Sequence, residues 1–304
     1  MYERFYGLSA KPFSLLPDGD FLYPSRIHKR VSNLLDYGVE SEAGFIVVTG
    51  EVGTGKTTIV RRFLKNTGPN HNVGVITNPS TSIGRLLDWI AMAFDLKERG
   101  TNVSDATLYN ALVEHVLAQY GKGRRTTLLI DEAQNLRVEM LEELRMLSNI
   151  NNERDLLLQI VLVGQPELLE TLKRPGLRQF VQRISVHCHL GPLTPPETAA
   201  YIRHRLGVVG GKPEIFDDMA CAVVHHFTGG TPRLINLLCD QSMVYAYSED
   251  RQQVTFETVA EVAIDRAKYG LSAFRNVPEM LYPPALRDEV RPTFDHIQRG
   301  MGED

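Results

Sequence analysis

The stretch Gly50-Glu51-Val52-Gly53-Thr54-Gly55-Lys56-Thr57-Thr58 constrains this chain more than any other feature. It fits the pattern G-x-x-x-x-G-K-[ST], and its context gives the pattern meaning. An apolar run, Phe45-Ile46-Val47-Val48, precedes it, and an amphipathic run, Ile59-Val60-Arg61-Arg62-Phe63-Leu64, follows. Strand, glycine loop and helix in that order turn backbone N–H groups into a concave nest for a phosphate, which side chains at the glycine positions would obstruct. The start of the following helix adds the positive end of its dipole. In such a loop Lys56 reaches the β- and γ-phosphates as a point charge, and the Thr57 hydroxyl ligates Mg²⁺. The loop from Gly50 to Thr58 therefore predicts binding of a nucleoside triphosphate.

With 304 residues the chain has room for one large domain or two. Its hydrophobic share of 43% and charged share of 23% are those of an ordinary soluble globular protein. No apolar run approaches the length that spans a bilayer, and Met1-Tyr2-Glu3-Arg4 lacks the apolar core of a signal peptide. A cytoplasmic protein without direct membrane insertion is expected. Cys188, Cys221 and Cys239 are widely spaced and in no ligand pattern, so they read as reduced core thiols. A formal net charge of −4 excludes a global basic field, although local basic patches are compatible with it.

The chain divides into four parts. Residues 1–43 form a lead-in with aromatic anchors (Phe5, Tyr6, Phe13, Phe21, Tyr23), turn signals at Lys11-Pro12 and Pro17-Asp18-Gly19, and a helix from about Ser25 to Tyr37. Two placements are open for its aromatics: beside a nucleotide base, or on the chain's own sheet. Residues 44–190 alternate strand and helix patterns, the signature of an α/β parallel five-stranded sheet flanked by helices. Expected strands are 45–49, 73–77, 127–131, 157–163 and 185–190; expected helices are 56–66, 82–95, 105–120, 136–149 and 166–173. The central strands read as continuous apolar runs, broken only by Gln159, as buried parallel strands do. Residues 191–270 carry helical patterns alone and form a small all-helical lid domain. It opens on the capping box Thr194-Pro195-Pro196-Glu197 and continues with helices over 214–227, 232–248 and 255–268. Residues 271–304 are a Pro-rich tail.

The third strand ends in Leu128-Leu129-Ile130-Asp131-Glu132. An acidic pair at the end of a buried strand, downstream of a phosphate loop, is the Walker B arrangement. Asp131 would hold the Mg²⁺ shell and Glu132 would polarise the attacking water. Since strand 73–77 intervenes between the two motifs, the loop and acidic strands are not expected to be sequence neighbours. At the end of the next strand, Gln165 occupies the sensor-1 place, where a polar side chain holds the water or senses the γ-phosphate; the bland alternative is a cap before Pro166. Arg178 and Arg183 precede the last strand, where an arginine can project at the γ-phosphate of an adjacent subunit. Arg183, nearest the strand, is the first candidate for this finger and Arg178 the second. In Gly229-Gly230-Thr231-Pro232-Arg233, Arg233 lies in the first turn of a helix, where the dipole disfavours a cation, so it invites an anionic partner. A sensor-2 arginine reaching the nucleotide explains it.

Other groups take plainer readings. His187, His189, His225 and His226 show no metal-ligand geometry and read as core or surface histidines. Arg61, Arg62 and Lys65 form a solvated helix face, and Arg124 and Arg125 a charged loop.

The order of these motifs resembles the AAA+ superfamily, and within it the ExeA/GspA-like secretion ATPases. The segments Phe5-Tyr6-Gly7-Leu8, Lys11-Pro12-Phe13, Asp131-Glu132-Ala133-Gln134-Asn135-Leu136, Glu143-Leu144-Arg145-Met146-Leu147-Ser148-Asn149, Gly164-Gln165-Pro166-Glu167-Leu168 and Ile235-Asn236-Leu237-Leu238-Cys239-Asp240 carry the likeness together with the glycine loop. It covers roughly residues 1–268 and is nearest to the ATPases that accompany exosortase and exopolysaccharide loci. The resemblance implies ATP rather than GTP, since no N-K-x-D motif is present. It also implies Mg²⁺ and a homo-oligomer, ring or helical filament, with active sites at subunit interfaces. The partner it implies is a protein of a secretion or export system. Family members of type II secretion carry a membrane span and a peptidoglycan-binding module after the ATPase. This sequence stops at Asp304 with neither, so membrane work is expected to go through a partner. The chain is similar as well to the TnsC/TniB-type transposition ATPases, which polymerise on duplex DNA. The compact two-domain chain favours that alternative; the lack of a basic tail or a Lys/Arg-dense helix speaks against it.

Overall fold

The computed structural model describes residues 1–16, 21–41, 44–79, 84–96, 103–152, 155–268 and 274. The expected turn at Pro17-Asp18-Gly19 and all of the 271–304 tail except Phe274 lie outside the described residues. In chain order the elements begin with α1 (Tyr2–Phe5), α2 (Arg26–Glu40), β1 (Phe45–Gly50), α3 (Lys56–Asn66), β2 (His71–Ile76), α4 (Leu86–Ala93) and α5 (Asp105–Gly121). They continue with β3 (Arg125–Ile130), α6 (Val138–Leu147), β4 (Leu158–Gly164), α7 (Glu167–Leu172), α8 (Arg178–Val181) and β5 (Ile184–Leu190). The helices α9 (Pro195–Val208), α10 (Asp218–Thr228), α11 (Pro232–Ser248) and α12 (Phe256–Lys268) complete the described elements. Contacts divide these into two compact units.

The sheet unit spans residues 26–52 and 56–191. Its five strands are all parallel, in the order β2-β3-β4-β1-β5. Every residue of β1 and β4 is buried, which is why their sequences lack the polar alternation of a one-sided sheet. The period of two divides the side chains between two cores. Phe45 and Val47 join Leu128, Ile130, Ile160 and Leu162 on the face covered by α4 to α8. Ile46 and Val48 join Leu129, Val161 and Val163 on the face covered by α2 and α3. Burial of each such side chain contributes about 1.5–3 kcal/mol.

Strands β1 and β3 do not pair; β4 lies between them, and β2 sits at the sheet's edge beyond β3. Gln159, the one break in the apolar run of β4, is fully satisfied. Its Nε2 donates to the main-chain oxygens of Gly38 and Val39 at 3.3 and 3.0 Å, and its Oε1 accepts from Thr127 Oγ1 at 3.4 Å. The residue thus pins the end of α2 to the sheet. Gly38 permits that approach, because a Cβ there would lie 2.6 Å from Ile46 Cδ1.

The helical unit gathers the described residues among 1–25, the loop tip Gly53–Gly55 and the described residues from 192 onward. The 1–43 lead-in is therefore shared between units: α2 covers the sheet, while the aromatics before it enter the core of α9 to α12 rather than packing on the sheet. Tyr2, Tyr6, Leu8 and Phe13 are buried there beside Ile202, Leu206, Phe216 and Phe227. Polar bonds fix the segment. The Tyr2 hydroxyl donates to Asp240, Tyr6 Oη donates to the Arg251 main-chain oxygen at 3.0 Å, and Arg205 Nε donates to that of Pro12 at 2.6 Å. The Arg205 guanidinium also lies 4.4 Å from the centre of the Phe21 ring.

The Thr194–Glu197 capping box forms, with Glu197 Oε2 accepting from Thr194 N at 3.1 Å. Helix α10 starts at Asp218 rather than at residue 214, because Pro213–Ile215 makes a 3-10 turn and Asp217 caps the helix through Ala220 N. Of the 82–95 pattern, 86–93 is helical, and residues 82–83 lie outside the described residues. All three cysteines are buried and unpaired. Among the described residues no helix is long and apolar enough to cross a membrane.

Candidate active site

Strand β1 delivers the glycine loop and α3 takes over at Lys56. The loop turns through Gly53 at φ +80° and Gly55 at φ +103°, conformations that only glycine adopts without strain. Lys56 is buried, and its Nζ donates to the main-chain oxygens of Gly50 at 2.7 Å and Glu51 at 3.0 Å. Burial pushes the ammonium below its usual pKa, against the opposing pull of Glu132, Asp131 and Glu51. No carboxylate lies within ion-pair distance of Nζ among the described residues, so this cation retains its capacity for an anion. Of the other loop residues, Thr54 is buried, Thr58 is half-buried, and Glu51 and Val52 are exposed.

Thr57 Oγ1 donates to Asp131 Oδ2 at 3.2 Å, joining the start of α3 to the end of β3. Asp131 is buried, which raises its carboxyl pKa; the N–H of Glu132, at 2.9 Å from Oδ1, works the other way. A buried carboxylate beside a hydroxyl offers hard oxygen donors of the kind a divalent ion takes.

Glu132 adopts the left-handed conformation (φ 55°, ψ 37°), which is uncommon for a non-glycine residue and is found where surrounding bonds hold it. Its Oε2 accepts from Gln134 Nε2 at 2.6 Å and from Gln165 Nε2 at 3.4 Å. The Gln165 side chain therefore faces Glu132, and Pro166 takes the cap of α7 instead. Gln134 was legible only as part of a motif. Its placement two residues after the glutamate, in the 3-10 turn Ala133–Asn135, brings it into the site.

The two arginines before β5 differ. Arg183 Nη1 donates to Arg145 O, Ser148 Oγ and Asn149 Oδ1 at 3.1, 2.9 and 2.7 Å, so its guanidinium closes the end of α6. Arg178 is exposed at the start of α8, with no side-chain partner among the described residues. In the helical unit, the Arg233 N–H donates to Gly53 O at 3.1 Å, and a Cβ on Gly53 would meet Arg233 Cβ at 2.6 Å. Thr231 takes the cap position of α11, without a side-chain capping bond. The histidines fit their plain readings: His225 and His226 are buried in α10, and His187 and His189 flank Thr49 Oγ1 at 3.4 and 3.1 Å.

A family model described as an AAA domain matches residues 39–172. General secretion pathway protein A of Aeromonas hydrophila is 39% identical over 268 residues, 87% of this chain and 48% of that protein. The Mu-like prophage FluMu DNA transposition protein B of Haemophilus influenzae is 30% identical over 128 residues, 41% of this chain and 39% of that protein. The chain thus spans less than half the length of these curated relatives. Among solved structures, Cdc6p from Pyrobaculum aerophilum superposes with a TM-score of 0.62 at 18% identity, over 86% of this chain and 73% of that one, a likeness of fold. Residues 39–172 thus match an AAA domain, and the chain is similar in sequence to general secretion pathway protein A.

Proposed function

We propose that the chain is an oligomeric Mg-ATP hydrolase whose nucleotide state drives assembly with, or remodelling of, a protein partner in a cytoplasmic step of secretion or polysaccharide export. The convergence of Lys56, Thr57, Asp131, Glu132 and Gln165 in one corner carries this reading. Relatedness to general secretion pathway protein A supports the partner class.

The residues fit their ligands. The nest of residues 50–58 and the buried Lys56 suit the phosphates, and Thr57 with Asp131 would hold Mg²⁺, which when bound neutralises phosphate charge. Glu132 orients and deprotonates the attacking water, with Gln165 beside it. Arg233, bonded through its main chain to Gly53, is the second-arginine candidate toward the nucleotide. For the arginine from a neighbouring copy we favour Arg178, because it is exposed and unengaged whereas Arg183 is held within its own chain.

A second reading is an ATP-dependent regulator that polymerises on duplex DNA, favoured by the similarity to the transposition protein B. ATP turnover across a protein-concentration series, with and without duplex DNA at low and near-physiological salt, separates the two. A cooperative rise with concentration and indifference to DNA supports the first. Sequence-independent stimulation that weakens steeply with salt supports the second. Turnover independent of concentration, in a protein that stays monomeric with ATP, would sink the interface-completed site.

A further inference from the structure

One side chain spans the ends of two strands at the site. The main-chain N–H of Gln165 can only donate, so the Gln134 atom facing it at 3.0 Å is the carbonyl Oε1. That fixes the other end as the NH₂ group, 2.6 Å from Glu132 Oε2. Both polar ends of Gln134 are thereby engaged, one by the turn after β3 and one by the end of β4. Glycine leaves room for this bridge: a Cβ at Gly164 would lie 3.0 Å from Gln134 Oε1 and 3.2 Å from Leu168 Cδ2. Both amides, those of Gln134 and Gln165, converge on Oε2 of Glu132. Oε1 of Glu132 has no hydrogen-bond partner among the described residues.

We propose that Gln134 is a positioning residue for hydrolysis, holding the Glu132 carboxylate by Oε2 so that Oε1 faces the attacking water, and tying that pose to the strand end that carries Gln165. The inference rests on the hydrolase reading above. A carboxylate on a left-handed turn has several side-chain rotamers open to it, and a base must stand within hydrogen-bond reach of its proton. A charge-assisted bond of 2.6 Å selects one of them. The second bond of Gln134 makes the selection depend on the position of Gln165, so a shift at the end of β4 is felt at Glu132.

Gln134→Met keeps side-chain length and removes both bonds. Gln134→Glu keeps an acceptor for the Gln165 N–H and removes the donor to Glu132. Steady-state ATP turnover of both full-length variants is expected to show kcat lowered about tenfold to a hundredfold, the worth of one bond to a charged group. KM for ATP and the affinity for a fluorescent ADP analogue stay within twofold, which also reports that the variants fold. In a Glu132→Gln background, measured by single turnover, Gln134→Met is expected to cost nothing further, because its target is already removed. An equal loss in both backgrounds overturns the proposal, as does unchanged kcat or a loss confined to KM. A wild-type protein that binds nucleotide without turnover at any concentration instead overturns the hydrolase reading, and this inference with it.

Discussion

Nη1 of Arg183 lies 2.7 Å from Oδ1 of Asn149, and the same nitrogen reaches Ser148 Oγ and the Arg145 main-chain oxygen. A cation here meets the negative end of the α6 dipole as well as three acceptors. Arg183→Ala is therefore expected to lower stability by about 1–2 kcal/mol, read as a reduced urea midpoint with an unchanged slope. Arg178→Ala removes no such bonds and should leave stability within about 0.5 kcal/mol. Its turnover, by contrast, should fall by about 10³-fold if it serves a neighbouring copy. Mixing Arg178→Ala with Glu132→Gln subunits is the sharper measurement. A site on an Arg178→Ala subunit keeps its Glu132 and can take an intact Arg178 from a Glu132→Gln neighbour, so part of the activity returns. A mixture as inactive as its components would remove Arg178 from that role.

Lys56 separates folding from ligand binding. It is buried, and among the described residues it bonds to the carbonyls of Gly50 and Glu51 alone. Lys56→Met retains the packing and removes a charge whose burial is unfavourable in itself. Stability is expected to change by less than about 1 kcal/mol, because the lost bonds and the relieved desolvation offset each other. Affinity for a fluorescent ATP analogue should nevertheless fall by about a hundredfold or more, as the phosphates lose their buried point charge. Equal losses in midpoint and affinity would mean that Lys56 organises the loop rather than meeting an anion.

Much of this arrangement could be read from the chain, for identifiable reasons. Buried parallel strands advertise themselves as apolar runs, so all five were legible to within two residues. The glycine loop and Asp131-Glu132 carry their chemistry in contiguous residues. What escaped was set by contacts distant in sequence. Tyr2 meets Asp240, and Arg205 meets Pro12, so the aromatics of residues 1–25 join the helical unit, a choice that their hydrophobicity leaves open. Arg183 stands in a place suited to a finger, but the acceptors that claim it lie 34 to 38 residues earlier. Gln134 was hidden differently, since its role depends on the left-handed turn at Glu132, which a non-glycine residue does not signal.

Gln159 and Gly38 form one joint between α2 and β4, and both should be intolerant of apolar replacement. Gln159→Leu matches the strand's hydrophobicity yet removes one donor from each of the Gly38 and Val39 oxygens, which keep Ser41 Oγ and Arg125 Nη1, and takes the acceptor from the buried Thr127 hydroxyl. A loss of about 1–3 kcal/mol is expected. Gly38→Ala forces a methyl to within 2.6 Å of Ile46 Cδ1, and overpacking of that kind costs about 1–3 kcal/mol. Because both act on the same contact, the double variant should lose less than the sum in chemical denaturation. Full additivity would show that the two residues hold different parts of the helix.

Acid sensitivity is expected from the helical unit. Burial lowers His225 and His226 to pKa values of about 4, below the 6.5 of an ordinary histidine. Both are neutral in the folded chain at pH 7 and take up a proton more readily when unfolded. Their contribution is complete above pH 6.5, declines as pH falls, and is gone near pH 4. Each full shift is worth on the order of 3 kcal/mol. His71, His115, His187 and His204 are shifted in the same direction, so a bare pH titration would mix their contributions. His226→Phe isolates one of them: it keeps an aromatic ring in the core and cannot titrate. The urea midpoint of the variant, plotted from pH 7 to 4.5, should fall less steeply than that of the wild type. Parallel slopes would mean that His226 opens to water before the unit unfolds.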